Sequence, residues 1–394
     1  MDTIISGDTT KTSFYAAIAP IILSVFAIYL TIGITLGILP GYIQNSLEFG
    51  SVTVGIVIGL QALATLLTRA YAGKTTDTKG AKVSTRLGTI LTTTTGILYV
   101  ASTFFMSNVS LALGIILVAR MIHGIAESLF LTGALTWGIG LVGAQKSGRV
   151  MTWNGIAMYA GIAIGAPLGI GMTKIFGIES AFATLVLLSI ISWLIIKKLP
   201  TLSVDLSHVR TPFYKVIGSI AGQGLALAFS SIGFACISSF IALFFVQKQW
   251  GDPSLAFVCF GVSYVLVRVF FSSFPDKYGG LKVTLFSLLI EILGQLLIGF
   301  STSKVMAIAG CSLTGAGFSL IFPSLGVLAI KKVNPQMRGT ALGAYAAFFD
   351  LSLGIAAPIA GLVASWFDYQ SVYIFGGVSA LLAIVVLLLG KNKA

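Results

Sequence analysis

The chain has 394 residues, 56% of them hydrophobic and 9% charged, and its mean hydropathy is +1.00. That balance excludes a water-soluble globule, so the net charge of +12 reads as a membrane-topology signal rather than a nucleic-acid surface. Cys236, Cys259 and Cys311 lie in apolar runs without ligand spacing, and with two His in the whole chain no metal site and no cofactor is expected.

A spanning helix needs about 20 apolar residues to cross a hydrocarbon core about 30 Å thick. Cutting at charged and Pro/Gly-rich breaks predicts twelve, at roughly 14–40, 52–72, 84–105, 109–135, 149–173, 178–197, 214–246, 255–274, 283–301, 304–330, 338–364 and 371–390. The first twelve residues are polar and the first run is too long for a signal-peptide core, so it reads as a retained helix. Eighteen of the 24 Lys and Arg fall on one side of this scheme. Lys174, Lys248 and Lys304 fall on the other, and Arg69, Arg120 and Arg268 lie within segments. By the positive-inside rule both termini are cytoplasmic.

The expected fold is therefore all-α and polytopic, with twelve transmembrane helices in two pseudo-symmetric six-helix bundles. Its parts are a tail (1–13), a first bundle (14–197), a linker (198–213), a second bundle (214–390) and a short tail (391–394). The symmetry is visible in repeats. "TRAYAGKTTDTKGAKV" (68–83) and "VRVFFSSFPDKYGGLKV" (267–283) each place Asp eight residues after an Arg and Gly three after the Asp. Gly148 precedes Pro167 by nineteen residues, as Gly339 precedes Pro358, and "GIAESL" from Gly124 is echoed by "GAGFSL" from Gly315. Repeated six-helix halves are expected of secondary transporters with a midplane site between them.

"GKTTDTKGAK" (73–82) resembles the loop signature between the second and third helices of the major facilitator superfamily, matched by Gly73, Asp77, Gly80 and Lys82, with Thr78 departing from it. "RMIHGIAES" (120–128) resembles that family's fourth-helix signature, with His123 and Glu127 as departures. "GIAIGAPLG" (161–169) is similar to the fifth-helix signature of its antiporters, with Ala166 inserted. "YLTIG", "LPGY", "GRVMTWNG" and "GFSLIFPSLGV" look like bacterial YhhS-type and arabinose-efflux-permease-like members. The resemblance implies a gate latch written once per half, using Gly73, Asp77, Gly80, Lys82, Asp276, Gly279 and Arg338. It also implies a cavity lined by the first, fourth, seventh and tenth helices, which makes Tyr29, Thr31, Gln223 and Phe322 candidate contacts. Gln61, Trp153, Asn154, Tyr159 and Tyr345 are further candidates nearby.

Ionisable groups inside a bilayer cost about 2.5–3.5 kcal/mol each on insertion scales and need a reason to be there. Arg120, His123 and Glu127 are spaced by three and four residues, so they share one helix face over two turns. Arg120 and Glu127 are expected to touch substrate, and Glu127, Asp350, Glu291 and His123 are the proton-coupling candidates. Asp350 has no cation near it on its own segment and needs a partner on another helix or a proton. Glu291 and Arg268 sit at comparable depth on adjacent segments and are expected to pair. The leading expectation is proton-coupled efflux of a small organic solute (drug-like, sugar-like or siderophore/metallophore-like) by a monomer in the bacterial inner membrane. Its partners would be substrate, protons and lipid, with the proton gradient as energy source. A proton-coupled importer of a sugar, amino acid or iron chelate is the alternative, and a non-transporting receptor a third. With no Walker A loop and no nucleophile–base pair, an enzyme is not expected.

Overall fold

The structure is a computed structural model that describes residues 14–143, 146–202, 214–333 and 338–391; the side chains at 214, 215, 276, 330, 338–340, 342, 390 and 391 fall outside the description. The helices are α1 (Phe14–Gly41), prolonged by a π-helical turn (Tyr42–Ser46), then α2 (Ser51–Lys79), α3 (Ala81–Thr103), α4 (Val109–Val142), α5 (Ser147–Phe176) and α6 (Ile178–Lys197). The second half comprises α7 (Tyr214–Gln247), α8 (Ser254–Phe271), the short α9 (Phe274–Tyr278), α10 (Gly280–Gly299), α11 (Lys304–Lys331), α12 (Arg338–Trp366) and α13 (Tyr369–Lys391). Twelve of them are long, and eleven are long and apolar enough to cross a membrane.

The twelfth, α3, owes its lower hydropathy to threonines. Those hydroxyls are tied back to the carbonyl one turn earlier, Thr85 to Ala81, Thr89 to Thr85, Thr92 to Gly88 and Thr95 to Leu91, at 2.8–3.0 Å. A polar side chain satisfied by its own helix can sit among apolar neighbours at little cost. In place of the single segment expected at 255–274, the chain breaks at Ser272–Ser273 and restarts with Pro275 in the first turn of α9.

The duplicated loops are a shared device of backbone geometry. Gly80 (φ 94°) and Gly279 (φ 88°) each turn the chain in one residue, and their carbonyls accept from Ser84 and Val283 at 3.2 Å to open the next helix. Positive φ is a conformation that side-chain-bearing residues resist, which explains the repeated glycine.

Close packing follows the remaining glycines. A Cβ at Gly33, Gly161 or Gly165 would lie 2.4–2.9 Å from a carbonyl oxygen of the partner helix, so α1 and α5 meet backbone to backbone. The Ala166 that interrupts the fifth-helix signature is itself fully buried against Gly37. Gly124 on α4 meets the Gln61 carbonyl of α2, and Gly315 on α11 meets the Phe260 carbonyl of α8, each at 2.2 Å from an added Cβ. The repeated "GIAESL/GAGFSL" thus marks one helix crossing built twice.

The two halves meet along two seams, α2 with α12 and α5 with α8. Away from the termini they are also joined by Gln44 to Tyr369 (2.8 Å), Ser51 to the Gly361 carbonyl (3.2 Å) and the Lys174–Asp252 ion pair (2.5 Å).

Candidate functional site

The face of α4 that carries Arg120, His123 and Glu127 is laid against α1, running antiparallel, in three rungs. Arg120 Nη1 donates to Thr35 Oγ1 at 3.4 Å, His123 Nε2 meets Thr31 Oγ1 at 3.3 Å, and Tyr29 Oη donates to Glu127 Oε1 at 3.0 Å. Spacings of three and four residues make this ladder possible, because they keep successive side chains on one stripe.

The three rungs differ in what they can do. Arg120 spends its remaining donors on the α2 backbone, Nε to the Val57 carbonyl and Nη2 to the Ile58 carbonyl, both at 2.9 Å, and is 2% exposed. The guanidinium thus staples α4 to α2, and at this burial it shows no open face to a solute in this conformation. His123 is fully buried, and its Nδ1 has no partner.

Glu127 is only partly buried. Its Oε2 accepts from Gln61 Nε2 at 2.9 Å and from Thr65 Oγ1 at 3.4 Å. All its donors are neutral, and among the described residues no cation lies within ion-pair distance of it. Thr65 also bonds the Gly124 carbonyl at 3.1 Å, which fixes it beside the carboxylate. Thr65 is a member of the site that sequence reasoning passed over. One turn beyond Gln61 on α2, it had a signal in the same spacing argument applied to α4.

Asp350 finds its partner on another helix, in the other half. Arg69 Nε donates to Asp350 Oδ2 across the α2–α12 seam, with side-chain exposures of 18% and 7%. The polar cluster therefore runs from Tyr29 through Glu127, Gln61 and Thr65 on α1, α4 and α2 to an ion pair joining both halves.

The expected Glu291–Arg268 pair does not form. Both Glu291 oxygens lack a hydrogen-bond partner, and the residue is fully buried on α10 against Gly233 of α7. Arg268 turns instead toward the α5–α8 seam and donates to Tyr264 Oη at 2.5 Å. The two side chains leave their helices in different directions.

Of the other candidates, Tyr159 stacks on Tyr264 with ring centroids 3.8 Å apart and meets Phe234 and Phe318 edge-on. Tyr345 is fully buried and donates to the Phe322 carbonyl at 2.9 Å. Gln223 is buried with its Oε1 unpartnered. Asn154 is buried beside Met158 Sδ at 3.4 Å, while Trp153 is 37% exposed and packs edge-on against Tyr15. Thr31 is the His123 rung. In the latch, Lys82 donates to the Leu199 carbonyl and Asp77 is exposed at the end of α2. The side chains of Asp276 and Arg338 lie outside the described residues.

A family model described as Major Facilitator Superfamily matches residues 21–251 and 223–394. An uncharacterized MFS-type transporter of Salmonella typhimurium is 40% identical over 371 residues, covering 94% of this chain and 95% of the relative. The uncharacterized MFS-type transporter YhhS of Escherichia coli is 38% identical over 377 residues, covering 95% and 92%. In three dimensions the chain is similar to a D-xylose–proton symporter, with a TM-score of 0.78 over 94% of this chain and 97% of that one; at 16% identity this likeness speaks to the fold alone. Two six-helix halves, a duplicated glycine turn and a polar cluster at their junction meet these matches along nearly the whole length, and the chain belongs to the major facilitator superfamily as a multi-pass membrane transport protein.

Proposed function

We propose that the chain is a proton-coupled exporter of a small organic solute, working as a monomer in the bacterial inner membrane with both termini in the cytoplasm, and that solute and proton compete for Glu127. The single observation carrying this reading is the environment of that carboxyl group. It sits mid-membrane, partly open, and is held by a phenol, an amide and a hydroxyl. Neutral donors favour the charged form less than a cation at bonding distance would, and the Tyr29 and Thr65 hydroxyls can turn to accept from the protonated acid, so both protonation states are held. A solute that donates to Glu127 and a proton that neutralises it are then alternatives, which is the requirement for exchange.

Asp350 has a different part in this scheme. Its bond to Arg69 ties α2 to α12, so neutralising it weakens a tie between the halves that must change when they rock. The lopsided distribution of Lys and Arg supports the cytoplasmic placement of the termini.

The test is solute-evoked proton movement in liposomes loaded with a pH-sensitive dye. Proton entry opposite to solute movement is expected, abolished by Glu127→Gln. Co-directional movement would make the protein an importer. Evoked flux that survives Glu127→Gln would refute the shared site.

A further inference from the structure

The internal symmetry that aligns Arg69 with Arg268 also aligns two residues on the facing helices. Eleven residues after Gly148 stands Tyr159, and eleven after Gly339 stands Asp350. The α2–α12 seam and the α5–α8 seam are therefore the same contact built twice with one change. On one seam Arg69 meets a carboxylate of the other half. On the other, Arg268 bonds the Tyr264 phenol, on which the Tyr159 ring stacks, and among the described residues it pairs with no acid.

Arg268 is only 6% exposed, its Nε has no acceptor, and among the described residues no carboxylate lies within ion-pair distance. Its one bond goes to the Tyr264 hydroxyl, and its Cζ lies 5.2 Å from the centroid of the same ring. A ring face offsets part of the cost of burying a guanidinium, but it leaves the positive charge uncancelled. Arginine cannot shed that charge by losing its proton. Facing it from α5 is Gly155, where even an added Cβ would stay 3.9 Å from Nη1, so the backbone leaves room beside the guanidinium. The Tyr159 and Tyr345 phenols are within electrostatic reach. Next to it is an aromatic wall in which Phe234 stacks on Phe260 at 5.4 Å and on Phe318 at 5.9 Å.

We infer that the α5–α8 seam binds the carboxylate of an organic acid with a planar, largely apolar body that carries a hydrogen-bond donor for Glu127, and that this ligand supplies Arg268 with the counter-charge Asp350 supplies to Arg69. The fork of a guanidinium matches a carboxylate in two parallel bonds, and the aromatic wall accepts a flat body by stacking. This inference rests on the proposed transport function, since it names the solute class for that pathway. It is nevertheless tested by binding alone.

The experiment uses the purified full chain in detergent and follows thermal stabilisation on titration with benzoate, with benzyl alcohol and benzylamine as neutral and cationic controls of the same size. Benzoate is expected to bind at least tenfold tighter than either control. Arg268→Gln should erase that preference and Arg268→Lys should keep part of it, with circular dichroism confirming that both variants are folded. Equal affinity for benzoate and benzyl alcohol, no benzoate binding, or a benzoate preference that survives Arg268→Gln would overturn the inference. A benzoate preference lost in Arg268→Gln, but without proton flux evoked in liposomes by 4-hydroxybenzoate, which adds a donor to the same carboxylate and ring, would uphold the site and refute the proton-exchange reading.

Discussion

Replacing Arg69 and replacing Arg268 remove the same chemical group from equivalent places, yet their costs should differ sharply. Arg69→Gln leaves Asp350, with a side chain 7% exposed, without its counter-ion. Orphaning one member of a buried pair costs about 3–5 kcal/mol. The 18% exposure of the Arg69 side chain admits some screening, so a value just below that range, about 2–3 kcal/mol, is the working value. Arg268→Gln orphans no carboxylate. It forfeits one hydrogen bond to Tyr264, worth about 1 kcal/mol, and a ring contact worth about 0.5–2 kcal/mol, against relief of a buried charge that costs about 2.5–3.5 kcal/mol to insert. The sum is near zero or favourable. Melting curves in one detergent should show a clear loss for Arg69→Gln, recovery of most of it in Arg69→Gln/Asp350→Asn, and little or no loss for Arg268→Gln. Equal losses for the two single variants, or additive losses in the double variant, would refute the claim that only one of these two buried arginines has its own counter-ion.

Three further outcomes follow from the same geometry. Gly165→Leu should abolish stable expression, because a Cβ there already lies 2.4 Å from the Leu30 carbonyl and overpacking of this kind costs about 1–3 kcal/mol or more; a normal gel-filtration profile would show that α1 and α5 do not need their backbone contact. Glu291→Gln should leave the melting temperature nearly unchanged, because both oxygens are buried without partners and the packing suits a neutral group, whereas Glu291→Lys should not fold. At Asp252, in the α7–α8 loop, burial pushes the carboxyl up, but bonds from Lys174 and Ser254 outweigh it and hold the group at about 2. A depressed folded value means stability that is full above the unfolded value of about 3.9 and is lost as pH falls toward 2. Since the pair is 57% and 41% exposed, solvent and salt limit its worth to about 1 kcal/mol or less, and the pH 4-to-2 loss of stability should shrink in Asp252→Asn.

The sequence made the helices legible because a bilayer demands long apolar runs, and it made the Glu127 face legible because spacings of three and four fix one stripe on a helix. Even α3, too rich in threonine for hydropathy alone, was found by its place between charged breaks. What stayed hidden was direction around each helix axis. A helix apolar on all sides carries no stripe to say which way it faces, so Arg268 and Glu291 were wrongly paired. The Arg120 staple was hidden for another reason: its acceptors are backbone carbonyls of α2, and every residue has one, so no side-chain pattern announces them. The Arg69–Asp350 pair spans 281 positions, yet the repeats offered a route to it. The register that matches Gly148 with Gly339 puts Asp350 where Tyr159 stands in the other half, and Tyr159 faces the α8 helix that carries Arg268.

That exchange of a carboxylate for a phenol bears on how the two halves can be coupled. If both buried arginines had internal counter-ions, each seam would resist rocking whether or not a solute was present, and the protein would gain nothing from binding. If neither did, the halves would lack an electrostatic tie that binding could mimic. With one seam complete and the other lacking its anion, an acidic solute on Arg268 supplies a cross-seam contact absent from the empty protein. Protonation acts at Glu127, where solute and proton compete, and at the Arg69–Asp350 tie of the other seam. A solute that strengthens one seam and a proton that loosens the other bias the same two-state element through different contacts, and only differential contacts of this kind can shift a conformational equilibrium.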